Sequence, residues 1–322
     1  MTLKVGDYVD YDPTVKENLS DLQYTSPSAK SGASSDQDFN AATYESAGFG
    51  WRVLGTKNGK LRLIAEEFVG PGAYSGTNRT YYTLQGQKGY INGIDELNKI
   101  SAIFGHGKGA ESATSITIED VNAITGHDPA VAQYNKGEFD EYGNKVTYTR
   151  GSGTALSATS TNGNTWSGTF TFNYYDKATK TFLPLTSGSK DITCTYYKYN
   201  PTTLNNKNEE PIHGVDENGE FNVAYQVLFG KYSFDKTNNY TRTFTGKGTE
   251  PRYWLASDFA YSVGNWVEWG LRTISTGYVD QYPMYQSYDC TYGYSFGVCP
   301  VVSLKSDISL EWNNLENQWK IK

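Results

Sequence analysis

The sequence predicts an α+β fold made mostly of antiparallel sheet, with two helices and a strand-rich insertion. Three observations lead there. The chain carries 27 tyrosines in 322 residues and only 2 methionines, and it is rich in threonine; both Tyr and Thr suit a pleated, half-buried surface. Runs of alternating apolar and polar residues recur from one end to the other. Only two stretches space their apolar residues at helical intervals.

Residues 1–11 alternate as a strand. Residues 12–47, rich in Ser, Asp and Ala and without clear period, read as a long surface excursion. "GWRVLGTKNGKLRLIAEE" then gives two strands around an Asn-Gly turn, the strongest short hairpin signal. "GIDELNKISAIFG" places Ile94, Leu97 and Phe104 on one helical face, widened by Ile100 and Ile103. "TIEDVNAITG" opens on Thr117 as N-cap, spaces Ile118, Val121 and Ile124 helically, and closes on Gly126. Between about 130 and 250, "FDEYGNKVTYTR", "GTFTFNYYDKATKTFLPL" and "VDENGEFNV" each read as strand, polar turn, strand. From "RYWLAS" onward the character changes to a dense mix of Trp, Tyr, Ser, Gly and Asp. The chain therefore divides into residues 1–129 (strands and the two helices), a strand-rich insertion or subdomain at 130–250, and a C-terminal part at 251–322.

Composition excludes several classes of function. A net charge of −7 with no dense Lys/Arg cluster argues against nucleic acid as a partner. No run of 18 apolar residues is present, so no direct membrane insertion is expected. The N-terminus carries no signal peptide as written. The protein is therefore expected to reach the outside by another route, such as inside a phage particle, or to lack an anchoring segment in this sequence. Three cysteines are too few for a disulfide framework. Cys290 and Cys299 pair only if the chain doubles back, and isolated thiols are the expected state.

Motifs for metal or enzyme chemistry are incomplete. His106, His127 and His213 stand far apart, with no H-x-x-x-H or C-x-x-C pair, so no metal and no cofactor are expected. "GHGKGAES" (105–112) has the glycines of a phosphate loop but follows a helix instead of a strand. "NEEP" (208–211) and "EWNN" (311–314) are fragments of sugar-binding calcium sites, and a solvated turn and a C-terminal strand account for them. No G-x-S-x-G elbow exists, and no spacing singles out a pair of carboxylates. No catalytic residue is assigned.

The strongest signal is the segment from Tyr253 to Cys299, where Tyr and Trp are mixed with Ser, Gly, Asn and Asp and almost no Lys or Leu. Such rings give large, rigid contact area at low entropic cost, and the small polar residues add adaptable hydrogen bonds. In "YDCTYGYSF", Tyr288, Cys290, Tyr292, Tyr294 and Phe296 alternate with small or polar residues. That pattern fits either a half-buried strand or a surface built for contact.

"YWLAS" (253–257), "WGLRTISTG" (269–277) and "SYDCTYGYSFGVCPVVSLKSDI" (287–308) resemble the C-terminal variable region of proteins diversified by retroelements in gut bacteria and their phages. "VGDYVDYDP", "WRVLG" and "GIDELNKISAIFGHGKGA" resemble related surface proteins more loosely. The resemblance implies a C-type-lectin-like fold in which mutagenic reverse transcription rewrites chosen codons between constant stretches. It implies a non-enzymatic, adhesin-like protein on a cell or virion surface, binding a protein or glycan ligand on a target cell. Phe259, Tyr261, Asn265, Trp266, Glu268, Tyr278, Asp280, Tyr282, Tyr288, Asp289, Tyr292 and Tyr294 would line the contact face. Tyr253, Trp254, Leu255, Leu271, Val301, Val302 and Leu304 would be the scaffold beneath. One departure is Cys299, where the family prefers Arg before the Pro, so the floor of the site must be stabilised differently here. The alternatives are a structural virion or pilus subunit, or an enzyme with the fold of formylglycine-generating enzymes, whose reactive cysteine arrangement has no residue-by-residue match in this chain.

Overall fold

The computed structural model describes residues 1–15, 18–27, 37–72, 80–126, 142–150, 155–160, 165–169, 173–186, 188–196, 214–235, 237, 241–246, 248–263, 266–287 and 291–322; at 142–150, 155–160, 165–169, 193–196, 261–263 and 266 it describes the backbone alone. Strands β1 (Tyr8–Val9), β2 (Gln23–Ser26) and β3 (Gln37–Asn40) precede helix α1 (Ala41–Ser46). The hairpin β4 (Trp51–Lys57) and β5 (Lys60–Ala65) turns at Asn58 and Gly59. Both turn residues take positive φ, 53° and 73°, the twist that suits a two-residue hairpin loop. β6 (Tyr82–Gln85) runs into α2 (Gly86–Ala102), and β7 (Ala110–Ser115) into α3 (Ile118–Thr125). Next come β8 (Tyr142–Arg150), β9 (Ala155–Ser160), β10 (Thr165–Thr169), β11 (Asn173–Asp176), β12 (Thr181–Pro184) and β13 (Gly188–Tyr196). α4 (Val223–Phe229) and the hairpin β14 (Tyr232–Asp235) and β15 (Thr241–Phe244) lead to β16 (Arg252–Val263), β17 (Trp266–Ser275) and β18 (Tyr278–Gln286). The chain finishes through β19 (Gly293–Val298), β20 (Pro300–Leu304), β21 (Leu310–Asn313) and β22 (Gln318–Ile321).

Two large sheets result. One runs β21-β22-β1-β4-β5-β20-β7, and the other β10-β9-β8-β13-β16-β17-β18, with β19 joined to β16 and β6. Most pairings are antiparallel; β1–β22 and β16–β19 are parallel. The chain is thus a mixed α+β protein, mostly sheet, with more helix than the sequence periodicity exposes. α3 matches its sequence signals closely. Thr117 and Asp120 form a reciprocal capping box, and Gly126 ends the helix at φ 70°.

α2 begins at Gly86, well before the apolar stripe that predicts it. Its early glycines face the sheet: a Cβ on Gly93 would lie 2.8 Å from Leu271 Cδ1, and one on Gly89 3.2 Å from the Met284 sulfur. Absence of side chains there lets the helix approach β17 and β18 closely. Gln85, at the N-cap position, makes no side-chain capping bond, so the sequence gives no start signal.

The described residues of the segment 12–47 do not form a surface excursion. Leu22, Phe39, Ala41 and Tyr44 are buried in the main core, and Tyr44 packs edge-on to Phe104 at 5.6 Å. Single apolar residues separated by polar ones anchor this stretch, so it carries no period to read.

The strands β16–β18 lie between two hydrophobic clusters. Trp254, Trp269, Leu271 and Tyr285 belong to the larger, with α2. Tyr253, Leu255, Ile274 and Val279 belong to the other, with α4 and Phe234 of β14. Within the 130–250 stretch, β13 extends the second sheet onto β16 through Thr195 opposite Ala260. The hairpin β11–β12 lays Tyr174, Tyr175 and Phe182 against the larger cluster.

Candidate functional site

The scaffold positions read from the sequence are all interior. Tyr253, Trp254, Leu255, Leu271, Val301, Val302 and Leu304 are each at most 4% exposed. Trp254 donates from Nε1 to the Tyr82 carbonyl at 3.0 Å, and the Tyr253 hydroxyl donates to the Leu228 carbonyl at 2.8 Å. These bonds satisfy the polar atoms of two otherwise apolar side chains, as burial requires. Ser257 of the same motif accepts from the backbone N–H of Ile118 at 2.9 Å, tying β16 to the start of α3.

From this floor a line of rings climbs to the surface. Phe296, 2% exposed, packs edge-on to Trp254 at 4.8 Å and against Tyr282 at 4.6 Å. Tyr282 meets Tyr294 at 4.7 Å, and Tyr294 stacks with Tyr292 at 6.4 Å. These are the spacings at which aromatic pairs attract. Tyr282, Tyr292 and Tyr294 are half-buried, and their neighbours Thr291, Gly293 and Ser295 are exposed. The alternation in "YDCTYGYSF" therefore describes both options at once, core at Phe296 and surface toward Tyr292.

Polar groups border the ladder. Arg252 sits 5.6 Å from the centre of the Phe296 ring. Asp280 accepts from the Gln281 N–H at 2.8 Å. Burial raises its carboxyl above the usual range, against the opposing pull of hydrogen bonds from Gln281, Tyr282 and Tyr278. Burial likewise raises the Tyr282 hydroxyl, with Asp280 adding to it, and the Tyr294 hydroxyl, with Tyr292 and Glu268 adding to it. Tyr278 lies under Arg242 of β15, 5.0 Å from the ring centre.

The predicted contact residues do not share one face. Leu271 and Thr273 stand opposite Tyr282 and Asp280, so these four point to the side of the larger cluster, whereas Tyr278, at the turn, meets Arg242 of the hairpin packed in the other cluster. Glu268 stands opposite Gln286 and Tyr261, on the other side, where it accepts from Gln286 Nε2 at 2.5 Å. Phe259 has to be withdrawn from the contact face. It is 2% exposed and lies over Gly270, where an added Cβ would be 2.8 Å from its ring. A large ring opposite a glycine fills the space the missing side chain leaves. Tyr261 and Trp266 lie in described strands without described side chains, and Asn265, Tyr288 and Asp289 lie outside the described residues, as does "NEEP".

Sequence reading missed Thr83 and Arg252. Thr83 comes from β6, paired antiparallel to β19, and its hydroxyl is 2.5 Å from that of Ser295 at the rim. No local pattern links positions so far apart in the chain. Arg252 adjoins "YWLAS", and only the packing of Phe296 gives it a role.

Cys299 is a free thiol, 2% exposed, in the second cluster. Burial pushes its pKa up, with the Glu67 charge adding to the rise, so it stays a thiol and acts as a small apolar residue. Its carbonyl accepts from the Ile116 N–H at 3.1 Å. The floor at this position is therefore held by apolar packing and backbone bonding. Among the described residues no group of three or more His, Cys, Asp or Glu gathers to hold a metal, and no helix is long and apolar enough to cross a membrane.

Comparison with protein-family models, with curated proteins and with solved structures gave no match to this chain.

Proposed function

We propose that this chain is a non-enzymatic ligand- or receptor-binding protein, adhesin-like, built on a C-type-lectin-like form of the α+β fold. Its C-terminal Tyr-, Trp-, Ser- and Asp-rich surface is diversified by retroelement-directed mutagenesis. The observation that carries this reading is the aromatic ladder, fixed at Phe296 in the core and rising through Tyr282 and Tyr294 to Tyr292. Half-buried tyrosines on a rigid base give large contact area at little entropic cost. The buried residues of "YWLAS" and "PVVSL" hold the backbone, so outward positions change without unfolding the domain. The ligand is a protein or glycan of a target cell, and the chain works at a cell or virion surface.

The genetic test is direct. The encoding locus should hold a near-copy of the 3′ coding segment beside a reverse transcriptase, differing mainly at adenines. No near-copy, or one differing at random bases, would sink the diversification reading. At the protein level, replacing Tyr288, Tyr292 and Tyr294 together by Ser should abolish target binding with little change in melting temperature.

A further inference from the structure

The insertion builds a second feature against the same strands. Hairpin β11–β12 and strand β13 enclose, with β16 and β17, a cleft of about 270 Å³. The hairpin is seated by rings: Tyr90 meets Tyr175 edge-on at 5.0 Å, and Phe182 meets Trp269 at 5.3 Å and Tyr285 at 4.4 Å. Asn173 Nδ2 donates to the Tyr285 hydroxyl at 2.9 Å, and the Asn173 N–H donates to the Ser287 carbonyl at 2.7 Å. The cleft is thus formed before any ligand arrives, as small-molecule sites usually are.

Its chemistry narrows the ligand. Trp269, Tyr90 and Tyr175 give aromatic wall; Asp176, Asp191 and Asp258 with Lys177 and Lys190 give polar lining of both signs. Asp258 is exposed, and its contact with the Tyr90 hydroxyl is long, 3.4 Å, so its oxygens keep capacity to accept. Lys190 is held over the Tyr174 ring, 4.6 Å from its centre. An anion would face three carboxylates, and a cation two ammonium groups. A ligand that both donates and accepts around its edge, with apolar C–H faces for the rings, meets every group. The volume lies just below the roughly 300–1,000 Å³ of drug-sized pockets, enough for one ring and too small for an extended peptide.

We infer that this cleft is a saccharide subsite, taking one neutral, pyranose-sized unit of a glycan. The inference rests on the reading of the chain as a ligand-binding protein. It also gives the insertion a purpose, since the added strands turn one end of the sheet into a cleft.

The test uses the full chain and ligand-observed saturation-transfer NMR with free glucose, galactose, mannose and N-acetylglucosamine. At least one should show transfer with the wild type. Lys190→Ala and Asp258→Asn should each weaken it about tenfold or more. Circular dichroism on each variant separates lost binding from lost fold, and Lys190→Ala, at the cleft edge, is the variant expected to fold normally. The inference falls if no sugar shows transfer, if folded cleft variants bind as the wild type does, or if a short peptide shows the same dependence on Lys190 and Asp258. Loss of target binding in Tyr294→Ser without any sugar binding would remove this inference and leave the ladder. Sugar binding that depends on the cleft alone, with a ladder variant that affects no target, would do the reverse.

Discussion

Tyr294 and Phe296 are two residues apart on one strand and differ in what they can lose. Phe296→Ala removes a ring 2% exposed and packed on Trp254, and should cost about 3–5 kcal/mol in urea unfolding. Tyr294→Ser removes a half-buried ring at the rim and should cost about 1 kcal/mol. Equal losses would make Tyr294 core and end its role in contact. Glu45 offers a separate test. Its Oε2 is buried without a hydrogen-bond partner, and burial, with the Asp12 charge adding, pushes its carboxyl from 4.5 up to about 7. The folded chain therefore holds this proton more tightly than the unfolded chain. The stability it contributes is fully present below about pH 4.5 and is lost as pH rises through about 7. Glu45→Gln should flatten the stability profile across that window, measured by urea unfolding at a series of pH values.

Elements were legible where their signals are local. Thr117 and Gly126 mark α3 because a cap and a left-handed stop are chemistry within one turn. The first half of α2 was hidden because its glycines serve contact with Leu271 and Met284, and contact is not written in the segment itself. The capping Asp120 has a further partner that sequence spacing does not reveal: Arg62 of β5 donates to both its oxygens. Burial opposes the charge on Asp120, but bonding and charge from Arg62, with help from Thr117, hold its carboxyl below the usual range. Arg62 is 8% exposed and Asp120 4%, so Arg62→Ala leaves a buried carboxylate to the more distant Lys57, 3.5 Å away, and the Thr117 N–H. The expected loss is about 3–5 kcal/mol, read by urea unfolding near neutral pH. It should shrink in acid, where Asp120 is protonated and needs no partner.

At the scale of the whole molecule, alternation correctly grouped Tyr292, Tyr294 and Phe296 on one line of rings but said nothing of Tyr282, which reaches them from another strand. The family resemblance placed Phe259 on the surface, and nothing local to its strand shows that it fills the space over Gly270. Sequence patterning reports on one strand at a time, and a site built between strands depends on register. The register that closes the molecule joins its first and last strands. β1 and β22 run parallel. The Asp10 N–H donates to the Trp319 carbonyl at 2.8 Å, the Ile321 N–H to Asp10 Oδ1 at 2.7 Å, and Trp319 Nε1 to Asp7 at 3.0 Å. Because the two strands point the same way, tension applied between Met1 and Lys322 draws them past each other along their length. The bonds then carry the load together in shear, instead of opening one by one as a zipper does. Held by its two ends, this chain is fastened in the direction in which a pair of strands resists pulling best.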